Sequence, residues 1–409
     1  MKIIHTSDWH LGCSLRGRKR YEESAAFLDW LGELLEKESI DVLLVAGDIF
    51  DTTTPSNRAQ ELYYRFLCRV AESSCRHVVI TAGNHDSPTF LNAPRELLRH
   101  LQVYIVGKIG ESLDDEVLLL KNAQGEAELI VAAVPYLRDR DIRSVEAGES
   151  LEDKARKLVE GIRSHYELVG QRAEEIRAAL PGPPVPVVAM GHLFAAGGST
   201  VEGDGVRELY LGSLAHVGRD FPPVFNYVAL GHLHKAQLVG GQENCRYSGA
   251  PIPMGFAEAL REKQAIMVEF CAGQMGVTPV KVPIFKALQS IRGDREEIER
   301  QLEELKSKAQ KAWLEIIYEG KEIIGDLREQ MEAATAGTEL DLLRVSDNRS
   351  WQQVMNLMEE GEILSELDHS EVFRRCMEAH EVEAGQRQVL LQMYNEILDS
   401  LLMEDVMAE

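Results

Sequence analysis

Five short apolar runs within the first 234 residues each end in side chains able to ligate a metal ion, and this repetition constrains the fold more than any other feature. KIIHTSD runs on to Asp8-Trp9-His10, and DVLLVAGD ends in Asp48. HVVITAGNHD ends in Asn84-His85-Asp86, VVAMGH in His192, and NYVALGH in His232, followed by Leu233-His234. Each run is rich in β-formers and has the length of a buried strand. A single ending of this kind is only a turn signal, because Gly, Asn and Asp are common where strands stop. Five endings with the same chemistry point to one site. Parallel strands of an α/β sheet bring their carboxyl ends to a single edge, where ligands bind.

The intervening sequence supports that sheet. YEESAAFLDWLGELLEKES places Phe27, Trp30, Leu31, Leu34 and Leu35 at helical spacing, and a second helix is expected from about Ser56 to Glu72. Strand and helix patterns that alternate in this way imply βαβ units and a largely parallel sheet. A long helix over 151–179 is followed by the breaker PGPPVP. VVAMGH, RELYLG, NYVALGH and QAIMVEFC then follow without long helices, which predicts a second sheet packed on the first. Residues 281–346 alternate differently, as strand, helix, strand, helix and strand, from IFKALQSIR to ELDLLRVS. The expected architecture is an α/β two-sheet sandwich flanked by helices (1–280), a small α+β capping domain (281–346) and a C-terminal helical tail (347–409). In the tail an apolar stripe of Val389, Met393, Ile397 and Leu401, widened by Leu390, Leu398 and Leu402, suits docking on a partner helix as well as packing at home.

The strand ends together offer two Asp, one Asn and as many as five His, with no thiolate. Carboxylate, imidazole and amide oxygen suit Mn²⁺, Fe²⁺ or Zn²⁺. Seven ligands are too many for one ion that keeps open positions. Two ions about 3.5–4 Å apart, sharing one carboxylate, use them all and form a clamp for phosphoryl displacement. His5 and His77 lie at strand starts and are expected to be packed.

Composition narrows the setting. The six cysteines (13, 68, 75, 245, 271 and 376) form no CxxC pair, so they read as reduced thiols. No apolar run approaches the roughly 20 residues of a membrane span, and the N-terminus carries no signal-peptide pattern. The cytoplasm is the expected location. A net charge of −23 argues against a nucleic-acid partner only until its distribution is read. Residues 341–409 hold 16 acids against 5 bases, whereas Arg16, Arg18, Lys19 and Arg20 form an acid-free basic cluster just after His10 and are candidates for phosphate contact.

In their order, DWH, GDIFD, GNHD, GHL and GHLH resemble the motifs of the calcineurin-like metallophosphoesterase superfamily. HTSDWHLG, VAGDIFDT and AGNHDS resemble the bacterial SbcD nuclease subunits within it. The resemblance implies that Asp8, His10, Asp48 and His234 hold one ion and that Asp48, Asn84, His192 and His232 hold the other, with Asp48 bridging. Mn²⁺ is the expected metal. His85 is implied as the catalytic residue at the scissile phosphate, with Asp86 orienting it. Two departures stand out: Asp51 where some relatives have a further His, and Ala250 where the family's Tyr-x-Gly-Ser loop has Ser. The implied function is ATP-dependent cleavage of double-stranded DNA ends and hairpins in repair and recombination. The implied partner is an SbcC-type ATPase, with two copies of each subunit. This chain has no GxxxxGK[ST] loop, so ATP dependence would come from that partner. A phosphatase or small-molecule phosphodiesterase is the alternative on the same metal chemistry.

Overall fold

The computed structural model describes residues 1–142, 150–195, 221–308, 311–320, 324 and 326–347, with isolated positions between 373 and 394. It divides into two compact units, Met1–Lys286 and Ala287–Glu409. RELYLG and most of the tail stripe lie outside the described residues. Among the described residues, no helix is long and apolar enough to cross a membrane.

The first unit is a sandwich of two six-stranded sheets. One runs in the order Gln274–Lys281, Gln264–Cys271, Lys2–Thr6, Val42–Ala46, His77–Thr81 and Val103–Val106. The other runs Gln237–Val239, Gln242–Tyr247, Tyr227–Gly231, Val187–His192, Ala127–Ala133 and Val117–Lys121. Side chains alternate across each sheet with period two. Ile3, Val42, Leu44 and Val79 meet Val131, Val188, Met190 and Ala229 in the core between the sheets. Ile4, Leu43 and Val45 face outward onto Phe27, Leu31, Leu62 and Phe66 of the helices Tyr21–Lys37 and Asn57–Ala71. The helix Leu151–Ala179 covers the outer face of the second sheet through Ile162, Tyr166 and Val169. Helix starts follow local chemistry: the side chain of Ser56 accepts from Ala59 N–H, and Ser150 accepts from Asp153 N–H.

QAIMVEFC departs from the expectation that it belongs to the second sheet. As Gln264–Cys271 it pairs antiparallel with Lys2–Thr6, Ile3 opposite Val268, and so lies in the first sheet. Its alternation, which sends Ile266 and Val268 into the inter-sheet core and Ala265 to the outer face, suits either sheet, and backbone pairing with Lys2–Thr6 fixes which one. His5 and His77 are packed as expected. His5 bonds Tyr227 Oη at 3.0 Å and the Leu230 carbonyl at 3.2 Å across the sandwich, and His77 Nε2 meets the Lys121 carbonyl at 2.8 Å.

The second unit holds a parallel three-stranded sheet, Ala287–Gly293, Ala312–Tyr318 and Leu340–Asp347, with helices Arg295–Ser307 and Leu327–Thr335. Its core is built from Ile291, Ile298, Leu302, Leu314, Ile316 and Met331.

Candidate metal centre

All five polar strand ends leave parallel neighbours, so they emerge on one edge. The register sets Thr6 beside Val45, Ala46 beside Thr81, and Gly231 beside His192. After Thr6 the chain alternates its side chains. Trp9 turns into the core against Phe27 and Phe66, with its Nε1–H on Thr6 Oγ1, which leaves Asp8 and His10 on the opposite side. Backbone bonds from Asp8 N to Gly47 O (3.0 Å) and from His10 N to Asp48 O (3.0 Å) stitch this loop to the next one.

Four of the side chains sit on left-handed backbone: Asp8 (φ 54°), His10 (φ 44°), Asp48 (φ 51°) and His232 (φ 99°). Asp and His tolerate this region better than most residues, yet each such conformation still costs about 1–3 kcal/mol and clusters at functional sites. Two glycines permit the crowding. A Cβ on Gly47 would lie 2.1 Å from His192 Nδ1, and one on Gly83 would lie 2.1 Å from Asp48 Oδ1.

The polar atoms converge around Asp48. Its Oδ2 lies 3.2 Å from His192 Nε2 and 3.6 Å from His10 Nε2, while Oδ1 accepts from His85 N at 2.9 Å. On one side, Asp8, His10 and His234 bring ligand atoms within 4.8 Å of one another, and His10 Nε2 faces His234 Nε2 at 3.1 Å. On the other, Asn84 Oδ1 lies 3.0 Å from His192 Nε2 and 3.1 Å from His232 Nδ1. Two facing ring nitrogens share at most one proton, whereas a cation takes both lone pairs. Together with two buried carboxylates and the absence of thiolate, this donor set fits divalent cations.

Electrostatics agree with that fit. Burial alone would raise the Asp48 carboxyl, but His192, His10 and His85 outweigh it and hold it well below the usual carboxylate range. Burial, reinforced by the charge of Asp48, pushes the Asp8 carboxyl up. Burial and the neighbouring His192 drive His232 down to about 3.

Asp86 has a different task from the one expected. Its carboxylate accepts from the backbone N–H groups of Gly83 (2.8 Å), Phe50 (2.9 Å) and Ile49 (3.1 Å), locking the Asp48 and Asn84 loops together. The His85 ring is oriented instead by the Asp51 carbonyl, which lies 2.8 Å from Nδ1. The Asp51 carboxylate reaches His10 Nδ1 at 3.4 Å. The basic cluster also divides: Arg16, Arg18 and Lys19 are exposed on the small hairpin Ser14–Leu15/Arg18–Lys19, whereas Arg20 is buried, bonded to Glu23 and the Pro253 carbonyl. In the loop lacking the family's Ser at position 250, Ser248 Oγ meets Ser7 Oγ at 2.8 Å, and Ser7 in turn donates to Asp8 at 2.5 Å.

Sequence reasoning missed a further strand end. Ala127–Ala133 leads into Val134-Pro135-Tyr136-Leu137-Arg138, where Tyr136 N–H donates to Ala82 O at 2.8 Å and its ring stands 6.2 Å from that of His192. Arg138 Nη2 donates to the Asp86 carbonyl at 3.5 Å. The apolar run ELIVAAV was legible, but its ending carries no metal ligand to draw the eye.

Comparison with known proteins gives a consistent picture. Residues 1–236 match the calcineurin-like phosphoesterase family, and residues 284–381 match the SbcD C-terminal family, described as the type 5 capsule protein repressor C-terminal domain. The chain is 35% identical over 405 residues to the SbcD subunit of the SbcCD nuclease from Escherichia coli K12, covering 98% of each chain. It is 36% identical over 299 residues to the SbcD subunit of Rhodobacter capsulatus (71% of each chain) and 32% identical over 277 residues to that of Bacillus subtilis (67% of each chain).

Proposed function

The chain belongs to the calcineurin-like phosphoesterases and to the SbcD nuclease subunits among them, and from this we propose that it is the DNA-cutting subunit of a complex with an SbcC-type ATPase. It is a metal-dependent hydrolase of phosphodiester bonds. In this reading Asp8, His10, Asp48 and His234 hold one divalent cation, and Asp48, Asn84, His192 and His232 hold the second. Mn²⁺ suits the mixed oxygen and imidazole donors. The single observation that carries the reading is the position of Asp48, within 3.6 Å of His10 on one side and 3.2 Å of His192 on the other.

Bound there, the cations supply Lewis acidity toward phosphate oxygens. The remaining work falls to this chain. Because a carbonyl only accepts, His85 Nδ1 must carry the proton that bonds Asp51 O. That leaves Nε2 to meet substrate. With both ring nitrogens protonated, His85 can pass the Nε2 proton to the leaving oxygen as a general acid. The exposed Arg16, Arg18 and Lys19 of the hairpin after His10 are available to the phosphates of the same strand. Double-stranded ends and hairpins are the substrates in this reading, and residues 347–409 dock the ATPase.

The test is a cleavage assay with Mn²⁺ on end-labelled duplex and hairpin DNA, with and without the ATPase partner and ATP, beside bis(p-nitrophenyl) phosphate. DNA cleavage by the isolated chain, stimulated by the partner and ATP, is expected. Hydrolysis of the small diester with no cleavage of DNA in any combination would make the protein a small-molecule phosphodiesterase.

A further inference from the structure

Among the described residues, Arg138 is a cation beside the crevice to which neither the proposed metal ligands nor His85 gives a task. Arg138 follows the strand Ala127–Ala133 and is half-buried, with its guanidinium against the Asp86 carbonyl, one residue beyond His85. The backbone of this segment is fixed at the site by Tyr136 N–H on Ala82 O at 2.8 Å. Among the described residues Arg138 makes no ion pair, whereas Arg140, two residues on, has Asp141 at 3.7 Å. Arg20 and Arg76, two other partly or fully buried guanidiniums, each have carboxylates at 2.6 or 2.7 Å.

A half-buried guanidinium that makes no ion pair among the described residues keeps its charge available to an incoming anion. Arg138 has five N–H donors, and its bond to the Asp86 carbonyl uses only one of them. Asp8, Asp48 and Asp51 line the proposed metal centre, so an incoming phosphodiester gains from each cation placed beside them. The planar fork of Arg matches two phosphate oxygens at once, which Lys cannot do.

We infer that Arg138 is a phosphate-binding residue of this site, gripping the substrate strand beside His85. The inference rests on the phosphodiesterase reading and extends it to a strand end that contributes no metal ligand. It assigns no chemistry to Arg138 beyond holding phosphate.

The test compares Arg138→Ala, Arg138→Lys and the control Arg140→Ala. Arg140 is 76% exposed at its side chain and already paired, so its replacement should leave cleavage unchanged. Arg138→Ala should keep full metal content by elemental analysis and lose about 10–100-fold in kcat/KM on duplex DNA, the loss expected for one charge-assisted contact. Inhibition by inorganic phosphate should weaken by a similar factor, and Arg138→Lys should recover part of both. The slope of log binding constant against log salt should shrink by about 0.9, one phosphate contact. Normal cleavage with unchanged phosphate inhibition overturns the inference, as does loss of metal from Arg138→Ala, which would make the residue structural. If the wild-type chain hydrolyses the small diester and not DNA, the nuclease reading fails alone. Phosphate inhibition, measured on the small diester, then still decides the role of Arg138.

Discussion

At Asp48 a single carboxylate serves two groups of donors, and its backbone is held at φ 51° to do so. Asp86 is spent on three backbone N–H groups, and the Asp51 carboxylate meets His10, so neither of these acids replaces it. Asp48→Asn should therefore lower occupancy of both cations, whereas His10→Ala should lower one and spare the second. Elemental analysis of metal-loaded, desalted protein checks this; two tightly held ions in Asp48→Asn would remove the bridging assignment. His85 differs, because its ring is fixed by the Asp51 carbonyl and its backbone N–H by Asp48. His85→Ala should retain both cations and DNA binding and lose about 10²–10⁴-fold in cleavage rate, the contribution of a positioned proton donor. Single-turnover cleavage with saturating enzyme separates that loss from weakened binding, and a near-normal rate would take His85 out of the chemistry.

The strands explain why this much was legible from sequence and why some was not. A side chain of metal-ligating type directly after a buried apolar run is conspicuous, because nothing in core packing asks for it; Asp8, Asp48, Asn84, His192 and His232 are all visible in that way. Period-two alternation tells which face a side chain takes but not which sheet receives the strand, so pattern alone sets Gln264–Cys271 on the wrong side of the sandwich. The Tyr136–Arg138 ending is hidden because an aromatic and a cation after Pro135 read as ordinary loop. Hydrogen bonds of Asp86 to backbone amides 36 and 37 residues away are likewise beyond local pattern. His5, enclosed between the two sheets, shows what burial does to titration. Burial holds its pKa down to about 3, so it is neutral in the fold while an unfolded chain binds a proton near 6.5. Between those values the unfolded state carries the extra proton. The stabilisation is then complete above pH 6.5 and falls as pH drops toward 3, at up to about 1.4 kcal/mol per pH unit. In metal-free protein, urea midpoints from about pH 7.5 to about pH 4.5 should fall less steeply for His5→Gln than for the wild type. Parallel curves would mean that His5 does not titrate differently on unfolding.

For the whole molecule the open question is what the acidic end is for. Among the described residues, the core of the second unit is assembled from residues between Ala287 and Val345. Its three strands are complete at Asp347. In the tail, the described positions include a stacked pair, Phe373 on Tyr394 at 4.1 Å, and a buried Met377, while Met393 on the apolar stripe is 55% exposed. The exposed Met393 leaves apolar surface available at this end of the chain. DNA is a poor partner for it, because residues 341–409 carry 16 acids against 5 bases and repel phosphate. A helix of the ATPase partner is the better fit, received in a helix-in-groove contact. A chain ending at Asp347 should therefore fold, bind both cations and keep Mn²⁺-dependent cleavage, while losing co-purification with the ATPase and the ATP-stimulated rate. In the full chain, Met393→Asp should weaken that association far more than Glu396→Lys, since only the first puts a charge into the apolar stripe. If the truncated chain aggregates, or still carries the ATPase through gel filtration at full yield, the tail is part of the fold and the contact lies elsewhere.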